Sequence, residues 1–452
     1  MRTIISVSSP RGCEVVEALT STVSEVEIEP PTAIAGGDAI AEAARWCAAA
    51  RALQDGPPVM AYGTRDTAWV LVGERRRLCI ERYGDSLVSV DELWERLDKF
   101  TRVPGFIGGY IGFDAVWPDS FPRQQAPGGP AVPTVYLVEP AGAIRITAGR
   151  SARPAITVLQ DSSLLRQIRP EPDADTDTEA LPLRPLDRDT GTFRSAVAEV
   201  IDAIRSGKAS RLTLARRIDL PDDLDPLASF AAPPRVDGGA VARSFYLATD
   251  FLEMGGHSPE LLGSGDLGRF VCYKLSGTGA RDPGPAKDAH LRAQLLTDGK
   301  VLREHALSIE ATAAALAATG AVEAGVLQLV ERGGLRHLMT PLTVVTRPAT
   351  VLASIVRALL PAGAQPRAAG LEMLDALEPA TRAAYYGLIG LRTPDGQFEF
   401  SQVLRTLFRD RSGVHTFVGA AVTDGSTVDG ECEETRLKLD DVVAVRRRIL
   451  RA

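Results

Sequence analysis

The chain has 452 residues, of which 45% are hydrophobic and 24% charged, and its net charge is −7. This length exceeds one ordinary domain and can supply a sizeable core. Interspersed charges with a negative balance argue against a nucleic-acid partner, because nucleic acids select basic patches. Neither a signal-peptide core nor a run of about 18 apolar residues occurs, so we expect no membrane partner. Five scattered cysteines without metal-ligand spacing favour a reducing, cytoplasmic setting.

The N-terminal part, residues 1–165, alternates β-rich and helical segments. The apolar run Trp69–Gly73 predicts a strand, and the segments Ala39–Leu53 and Val90–Lys99 predict helices. Such alternation indicates a sheet with a covering layer of helices. The Gly-punctuated run Phe106–Asp114 predicts a strand that another backbone segment approaches closely, because its glycines lack side chains.

A change of composition divides the chain. Residues 166–188 are rich in Pro, Asp, Thr and Glu and show almost no apolar periodicity, which predicts a surface linker. The linker separates the N-terminal sheet-forming part, residues 1–165, from a second part, residues 189–452.

The second part begins with a helix and a strand. Apolar side chains at helical spacing predict an amphipathic helix that ends at Gly207. Its apolar face consists of Phe193, Val197, Val200, Ile201 and Ile204. A strand is predicted at Arg211–Arg217, and a further core strand at Ser244–Thr249.

Near the C-terminus, a short apolar strand from Val418 precedes a helix that carries charged residues at regular spacing. Glu431 and Glu434 lie three residues apart and Lys438 lies four further on, so the three side chains share one helix face. Glu304 belongs to another predicted helix. Two helices that carry glutamates can hold a hard divalent cation such as Mg²⁺, which prefers carboxylate oxygens and keeps waters for a ligand to replace.

The order of these motifs resembles one enzyme family. Gly-Ala-Ala followed by Glu-x-x-Glu-x-x-x-Lys, with an upstream Glu-His, resembles the magnesium site of chorismate-utilising enzymes, which include anthranilate, aminodeoxychorismate, isochorismate and salicylate synthases. Further matching motifs are Ser-Pro-Glu ending at Glu260, Gly-Thr ending at Thr278, Tyr-x-Gly beginning at Tyr385 and Leu-Arg ending at Arg405. The resemblance is good over about residues 189 to 450 and weaker over residues 1–160.

The resemblance implies a fold and a set of roles. The fold is the α/β (α+β) sandwich of the anthranilate synthase large component, with two large, mostly antiparallel sheets covered by helices. Glu260 matches the general acid that protonates the leaving oxygen, and His337 matches a catalytic histidine near the substrate ring. The implied Mg²⁺ ligands are Glu304, Glu431 and Glu434. The implied contacts to chorismate are Gly277, Thr278, Tyr385, Arg405, Gly419 and Lys438.

Arg211 matches the position that separates members of the family. Members that activate water carry Lys there, and many ammonia-using members carry Gln. A guanidinium does not deprotonate in proteins, so Arg211 cannot take a proton from water, although it can orient a nucleophile or bind a carboxylate.

Other departures from the family pattern concern the walls of the site. Ser276 stands where aminodeoxychorismate synthases carry a nucleophilic lysine, which argues against a covalent route. Gly279 replaces an arginine and Val301 replaces a glutamate. The stretch Leu359–Ala369 resembles a family loop that is about three residues longer and contains a Ser-Gly pair.

The first hypothesis is therefore a Mg²⁺-dependent isochorismate or salicylate synthase, whose products serve siderophore or other secondary-metabolite biosynthesis. Water would add at C2 of chorismate as the C4 hydroxyl leaves, and loss of pyruvate would then give salicylate. A second hypothesis is an ammonia-using anthranilate or aminodeoxyisochorismate synthase with a separate glutaminase subunit. A third is a chorismate-binding protein that has altered or lost this chemistry.

Overall fold

The helices of the computed structural model follow the predicted amphipathic segments. The model describes residues 38–54, 56–82, 88–120, 132–149, 154–170, 178–186, 191–234, 239–332, 335–348, 350–378 and 381–447. The α-helices in these residues are Ala39–Arg51 (α1), Val90–Thr101 (α2), Thr192–Arg205 (α3), Pro226–Ala231 (α4), Pro285–Thr297 (α5), Gly299–Leu316 (α6), Leu352–Leu359 (α7), Arg367–Leu377 (α8) and Val428–Asp440 (α9).

The strands are short and numerous. In chain order they are Val59–Gly63 (β1), Thr67–Val72 (β2), Arg76–Ile80 (β3), Ile107–Ile111 (β4), Val135–Glu139 (β5), Gly142–Thr147 (β6), Ala155–Gln160 (β7), Thr178–Leu181 (β8), Arg211–Asp219 (β9), Arg243–Ala248 (β10), Glu253–Ser258 (β11), Leu261–Gly265 (β12), Arg269–Ala280 (β13), Gly320–Ala324 (β14), Gln328–Arg332 (β15), Leu335–Thr346 (β16), Ala364–Gln365 (β17), Leu388–Arg392 (β18), Phe398–Gln402 (β19), Thr406–Asp410 (β20), Gly413–Val422 (β21) and Ala444–Arg447 (β22).

These strands form two large sheets in which distant parts of the chain are neighbours. The first sheet has ten strands in the order β17-β9-β21-β20-β11-β10-β1-β2-β6-β7. The second has the order β14-β16-β13-β12-β19-β18-β4-β5-β3, and β15 pairs with β16. The pairings are antiparallel, including β1 with β10 and β4 with β18. Each sheet therefore combines strands from residues 1–165 and from residues 189–452.

The two sheets pack face to face through one apolar cluster. Met60 and Leu71 of the first sheet and Tyr110 of the second are buried together in this cluster. The glycine-rich strand β4 permits the close approach: a Cβ atom on Gly108 would lie 2.4 Å from Leu71 Cδ1. The backbone approach predicted for this run is present at Gly112, where a Cβ atom would lie 2.4 Å from Ala383 O.

Helices cover the outer faces. The apolar side of α3, including Phe193, Val197 and Ile204, packs with Leu212 of β9. Helix α1 covers the first sheet near β1 and β2, while α2, α6 and α7 cover the second sheet. The predicted sandwich of two antiparallel sheets with covering helices is confirmed.

Local structure differs from expectation at two places. The segment predicted as a linker contains β8, which pairs with β22. The run Phe400–Thr406, whose residue types indicate one continuous strand, is interrupted after Gln402, and Arg405 adopts a left-handed backbone with φ 49° before β20 begins. Among the described residues, no helix combines the length and apolar character needed to cross a membrane.

Candidate functional site

One cavity of about 560 Å³ gathers the predicted site residues. A pocket of this size suits a small organic ligand. All twelve residues that the sequence singled out line it, although they come from nine separate stretches of chain. They are Arg211, Glu260, Gly277, Thr278, Glu304, His337, Tyr385, Arg405, Gly419, Glu431, Glu434 and Lys438.

Strands β9 and β21 form one wall through their side-chain alternation. Arg211 and Thr213 line the cavity, whereas Leu212 between them is buried in the apolar cluster with α3. Gly419 of β21 lies opposite Ala215. A Cβ atom on Gly419 would approach the Tyr385 hydroxyl to 3.2 Å, so only glycine leaves the backbone open to a ligand at this point.

Tyr385 and Arg405 supply polar groups beside Gly419. Tyr385 stacks on Phe417 with ring centroids 5.2 Å apart, and burial raises the pKa of its phenol, which stays neutral. Arg405 Nε donates to Asp441 Oδ2 at 2.9 Å. This ion pair orients the guanidinium and leaves its two terminal nitrogens for another acceptor, because an arginine carries five donors.

The wall formed by β13 contains a bulge. Register shifts between Ser276 and Thr278, and Gly277 between them has φ 79°. A Cβ atom there would lie 2.7 Å from Val301 Cγ1, so both the backbone angle and the space favour glycine. The bulge brings Thr278 next to His337, with Thr278 Oγ1 and His337 Nδ1 3.1 Å apart.

Helix α6 presents Glu304 to the cavity and anchors itself through the adjacent histidine. His305 is buried, with Nδ1 3.0 Å from Ser276 O and Nε2 2.8 Å from Thr340 Oγ1. Burial lowers the pKa of His305 to about 4, so the ring is neutral near pH 7. The two adjacent residues thus have different roles. His305 binds α6 to the second sheet through hydrogen bonds, and Glu304 lines the cavity.

Helix α9 carries the other two carboxylates. Thr427 caps it by accepting a hydrogen bond from Gly430 N at 3.1 Å. Lys438 Nζ contacts Glu434 Oε1 at 2.7 Å and donates to Gly419 O at 2.8 Å. The predicted shared face of Glu431, Glu434 and Lys438 is therefore present and lines the cavity.

Glu431 has the surroundings of a ligand for a cation. It is 8% exposed, and its buried Oε2 has no hydrogen-bond partner. Burial raises its pKa; a hydrogen bond from Ser426 and the charge of Lys438 oppose the rise, while the charges of Glu434 and Glu304 add to it. Mutual repulsion of this kind is what a divalent cation would relieve.

The carboxylates of Glu304, Glu431 and Glu434 are therefore suitable ligands for Mg²⁺, but their side chains do not form a compact cluster. Within the described residues, no three His, Cys, Asp or Glu side chains form a compact group of ligands. Two or three protein carboxylates with waters completing the shell are typical of Mg²⁺. Glu304 and Glu431, with Glu434, are the residues that would hold the ion.

Glu260 lies in the connection between β11 and β12, where the Ser-Pro-Glu motif alone would indicate the start of a helix. Its backbone is held on both sides: Glu260 N donates to Ser258 Oγ at 3.2 Å, and Gln402 N donates to Glu260 O at 2.9 Å. Burial raises the pKa of the Cys272 thiol to about 12; nearby Lys274 opposes the rise and Glu260 adds to it. The charges of the Glu260 carboxylate and the Lys274 amine thus both act on the Cys272 thiol in the cavity wall.

Three cationic residues of the cavity were not among the predicted site residues. They are Lys274, Arg357 and Arg367. Strand alternation counted back from Ser276 would have placed Lys274 on the inward face. Arg367 belongs to the stretch Leu359–Ala369, whose resemblance to a family loop in the wall of the site is a sequence signal for it, whereas no such signal places Arg357 of α7 in the cavity.

Comparison with known proteins agrees with this geometry. Residues 76–444 match the model of the chorismate binding enzyme family. An anthranilate synthase component 1 of Haloarcula marismortui is 29% identical over 56% of this chain and 54% of its own length. A salicylate synthase of Mycolicibacterium paratuberculosis is 27% identical over 56% of this chain and 57% of its own. The chain thus spans somewhat more than half the length of these curated relatives.

A solved structure shows the same fold over more of the chain. The menaquinone-specific isochorismate synthase of Escherichia coli superposes with a TM-score of 0.64 at 21% identity, covering 87% of this chain and 89% of that one. The family match covers most of the chain, and the motifs that carry it line one cavity. The chain belongs to the chorismate binding enzyme family.

Proposed function

We propose that this enzyme converts chorismate to isochorismate, to salicylate, or to both, in a Mg²⁺-dependent reaction. The observation that supports addition of water is the placement of a carboxyl group, Glu260, and an amine, Lys274, on the same part of the cavity wall beside Cys272. Water addition with loss of a hydroxyl needs one group that gives a proton and one that accepts a proton.

Binding would use the two charged ends of the cavity. Arg405, Lys438 and the Gly419 backbone, with the Tyr385 hydroxyl, would hold the enolpyruvyl carboxylate, since an arginine fork matches a planar carboxylate. The glutamates of α6 and α9 would hold Mg²⁺, which supplies positive charge for the ring carboxylate and for electron density displaced during the reaction.

The proton transfers follow from the residue types. As the oxygen of water bonds to C2, the ring double bonds shift and the C4–O bond breaks. Glu260 gives its proton to the departing hydroxyl, which leaves as water. The Lys274 amine would accept the proton of the attacking water, a step that a guanidinium such as Arg211 cannot perform. Ser276 is small and leaves C2 open to attack.

Loss of pyruvate from isochorismate is pericyclic and transfers a hydrogen within the substrate itself.

The comparisons favour one second candidate, amination of chorismate. The Haloarcula marismortui relative is named as an anthranilate synthase component 1. An enzyme of that type would take ammonia instead of water and would work with a glutaminase subunit. The cavity wall is compatible with both nucleophiles, so the products discriminate between them.

The decisive experiment is incubation of the purified full-length chain with chorismate and Mg²⁺, with and without ammonium, followed by product identification by mass and ultraviolet spectrum. Isochorismate or salicylate without ammonium supports the proposal. An aminated product that requires ammonium replaces it with the second candidate. Tight chorismate binding without any product would indicate a protein that binds the ligand but has lost the chemistry.

A further inference from the structure

The cavity has a cationic wall for which the two carboxylates of chorismate do not account. Arg211, Arg357 and Arg367 line it together. In the described part of the chain, none of the three forms an ion pair with a carboxylate; Arg357 lies over the Trp94 ring at 5.6 Å. This arrangement contrasts with Arg405 and Lys438 of the same cavity, which are paired with Asp441 and Glu434.

Strand pairing places the segment before Arg367 beside Arg211, and both arginines line the cavity. Gln365 of β17 is the register partner of Arg211 at the start of β9. Ser210 N donates to Gln365 O at 2.8 Å, which locks this pairing. Arg367 follows two residues later at the start of α8, so its side chain starts within about 7 Å of Gln365 along the chain.

Both guanidinium groups have unsatisfied buried nitrogens. Arg211 Nε and Arg367 Nη2 are buried without a hydrogen-bond partner. Burial lowers the pKa of Arg367, and the charge of Arg357 lowers it further. A guanidinium nevertheless stays protonated in a protein, so the strain of burying these donors together is relieved only by an acceptor, and best by an anion.

A structural arginine in the same region looks different. Arg382 also has one buried unpaired nitrogen, Nη1, but its Nε donates to Glu378 Oε2 at 2.8 Å. Its guanidinium also lies 4.6 Å from the Phe113 ring centroid. The positive charge of Arg382 is therefore balanced by the Glu378 carboxylate. Among the described residues, the charges of Arg211 and Arg367 have no carboxylate partner.

The arginine wall is distant from the place proposed for the enolpyruvyl carboxylate. Gly419 pairs with Ala215, which lies four residues from Arg211 along β9. At about 3.4 Å per residue this separation is roughly 13 Å of strand. The ring carboxylate, in turn, is expected at the glutamates of α6 and α9. An acceptor at the arginine wall is therefore a third anionic group.

We propose that Arg211 and Arg367 line a subsite for a further oxyanion, either a carboxylate, phosphate or sulfate group on a chorismate relative that bears a third anionic substituent, or a separate small anion bound beside chorismate. The placement of the other two carboxylates rests on the proposed function; the anion site itself does not. Its occupant would neutralise the arginine wall next to the reacting ring and would complete the charge balance of the cavity.

Calorimetric titration of the full-length chain with sulfate at constant ionic strength, without chorismate, tests the subsite separately from catalysis. We expect saturable binding that Arg211→Gln and Arg367→Gln each weaken by about tenfold or more, because each removes a charged donor. Arg211→Lys should retain most of the affinity. The matched control is Arg217→Gln on the same strand, since Arg217 is paired with Asp219 and Ser412 outside the cavity. Equal sulfate affinity in the wild type and in both glutamine variants, with native circular dichroism, would overturn the proposal.

The source of the anion is tested with two aromatic probes. Benzene-1,3-dicarboxylate mimics a ring with two carboxylates, and benzene-1,3,5-tricarboxylate adds a third. Tighter binding of the tricarboxylate that disappears in Arg367→Gln supports a substrate-borne group. Simultaneous binding of sulfate and the dicarboxylate supports a separate anion. Strict competition between sulfate and the dicarboxylate, with no gain for the tricarboxylate, would show that the wall serves only the two ordinary carboxylates and would refute the third-anion site.

Discussion

At the scale of single residues, alternate side chains of β13 face the cavity and supply several of its functional groups. Cys272, Lys274 and Ser276 are successive inward positions, and they present a thiol, an amine and a hydroxyl to the cavity. The thiol is inert because burial raises its pKa to about 12. The small Ser276 leaves space in front of Glu260 and Lys274, the two groups to which we assign the proton transfers.

Replacing Glu260 by Gln should lower turnover by roughly 10² or more while leaving chorismate affinity nearly unchanged, because the amide cannot protonate the leaving oxygen. Steady-state rates and equilibrium binding of chorismate measure the two effects separately. The control is Glu372→Gln, an exposed position on α8 outside the cavity. A Glu260→Gln enzyme with the wild-type rate would remove the assigned role.

Replacing Lys274 by Met should reduce formation of the hydrated product by about 10² or more, since no amine then accepts the proton of water. Lys274→Arg should not restore the rate, because a guanidinium keeps its proton. Lys208→Met, at an exposed position, serves as the control. Wild-type activity in Lys274→Arg would indicate a purely electrostatic role.

At the scale of elements, two helices bring carboxylates together from opposite sheets. Helix α6 is fastened to the second sheet by the neutral His305, and α9 follows directly after β21 of the first sheet. Their glutamates repel each other, and burial adds to the raised pKa of Glu431. The fold thus holds negative charge in a position where it is destabilising unless a cation is bound.

The raised pKa of Glu431 predicts the pH dependence of metal binding. Mg²⁺ requires the carboxylate, so its affinity should fall as pH drops through the raised pKa of Glu431. In the metal-free protein, stability should change with pH in the opposite direction. The folded state binds the Glu431 proton more tightly than the unfolded state does. The free energy of unfolding should therefore decrease as pH rises through this titration. Magnesium titrations at several pH values, with urea unfolding of the metal-free protein, measure both effects.

Variants of the three glutamates provide the control for that measurement. Glu304→Gln and Glu434→Gln should abolish Mg²⁺-dependent activity while the fold persists, and Glu431→Gln should flatten the pH dependence of unfolding. Unchanged magnesium titrations in all three variants would contradict the metal site. Glu310→Gln on α6, outside the cavity lining, should behave as the wild type.

At the scale of the whole molecule, both sheets interleave the N-terminal and C-terminal parts of the chain. Strand β1 lies between β10 and β2, and β4 lies between β18 and β5. Tyr62 of β1 also shares a hydrogen bond of 2.8 Å with Ser401 of β19 across the sandwich. Removal of residues 1–165 would expose the edges of β10 and β18 and one face of the apolar cluster between the sheets.

Residues 189–452 should therefore fail to fold when produced alone, and co-production with residues 1–188 should restore a soluble, chorismate-binding complex. Near-ultraviolet circular dichroism and gel filtration of each fragment and of the mixture check this expectation. A C-terminal fragment that unfolds cooperatively without its complement would show that the two parts are independent domains. In the intact chain, the interleaving predicts one cooperative unfolding transition.

What the sequence alone determined is mostly local. The apolar face of α3 and the charged face of α9 follow from helical spacing, because residues three and four apart are neighbours on any helix. The order of short motifs was enough to indicate the family and the sandwich. The left-handed turn at Arg405 was not predictable from its strand-like surroundings, because tertiary contacts such as the pair with Asp441 hold it.

Only the tertiary structure decided which distant residues meet. Glu304 lines one cavity with glutamates of α9 that lie more than a hundred residues later in the chain, and Lys274 lines it with Glu260. The pairing of β17 with β9 places the start of α8 near the strand that carries Arg211. Each of these encounters depends on strand order and register, which local periodicity does not encode because sheet partners are chosen by long-range packing. Motif order thus indicated the family of this protein, whereas the cavity arginines that have no carboxylate partner among the described residues became visible only once both sheets were assembled.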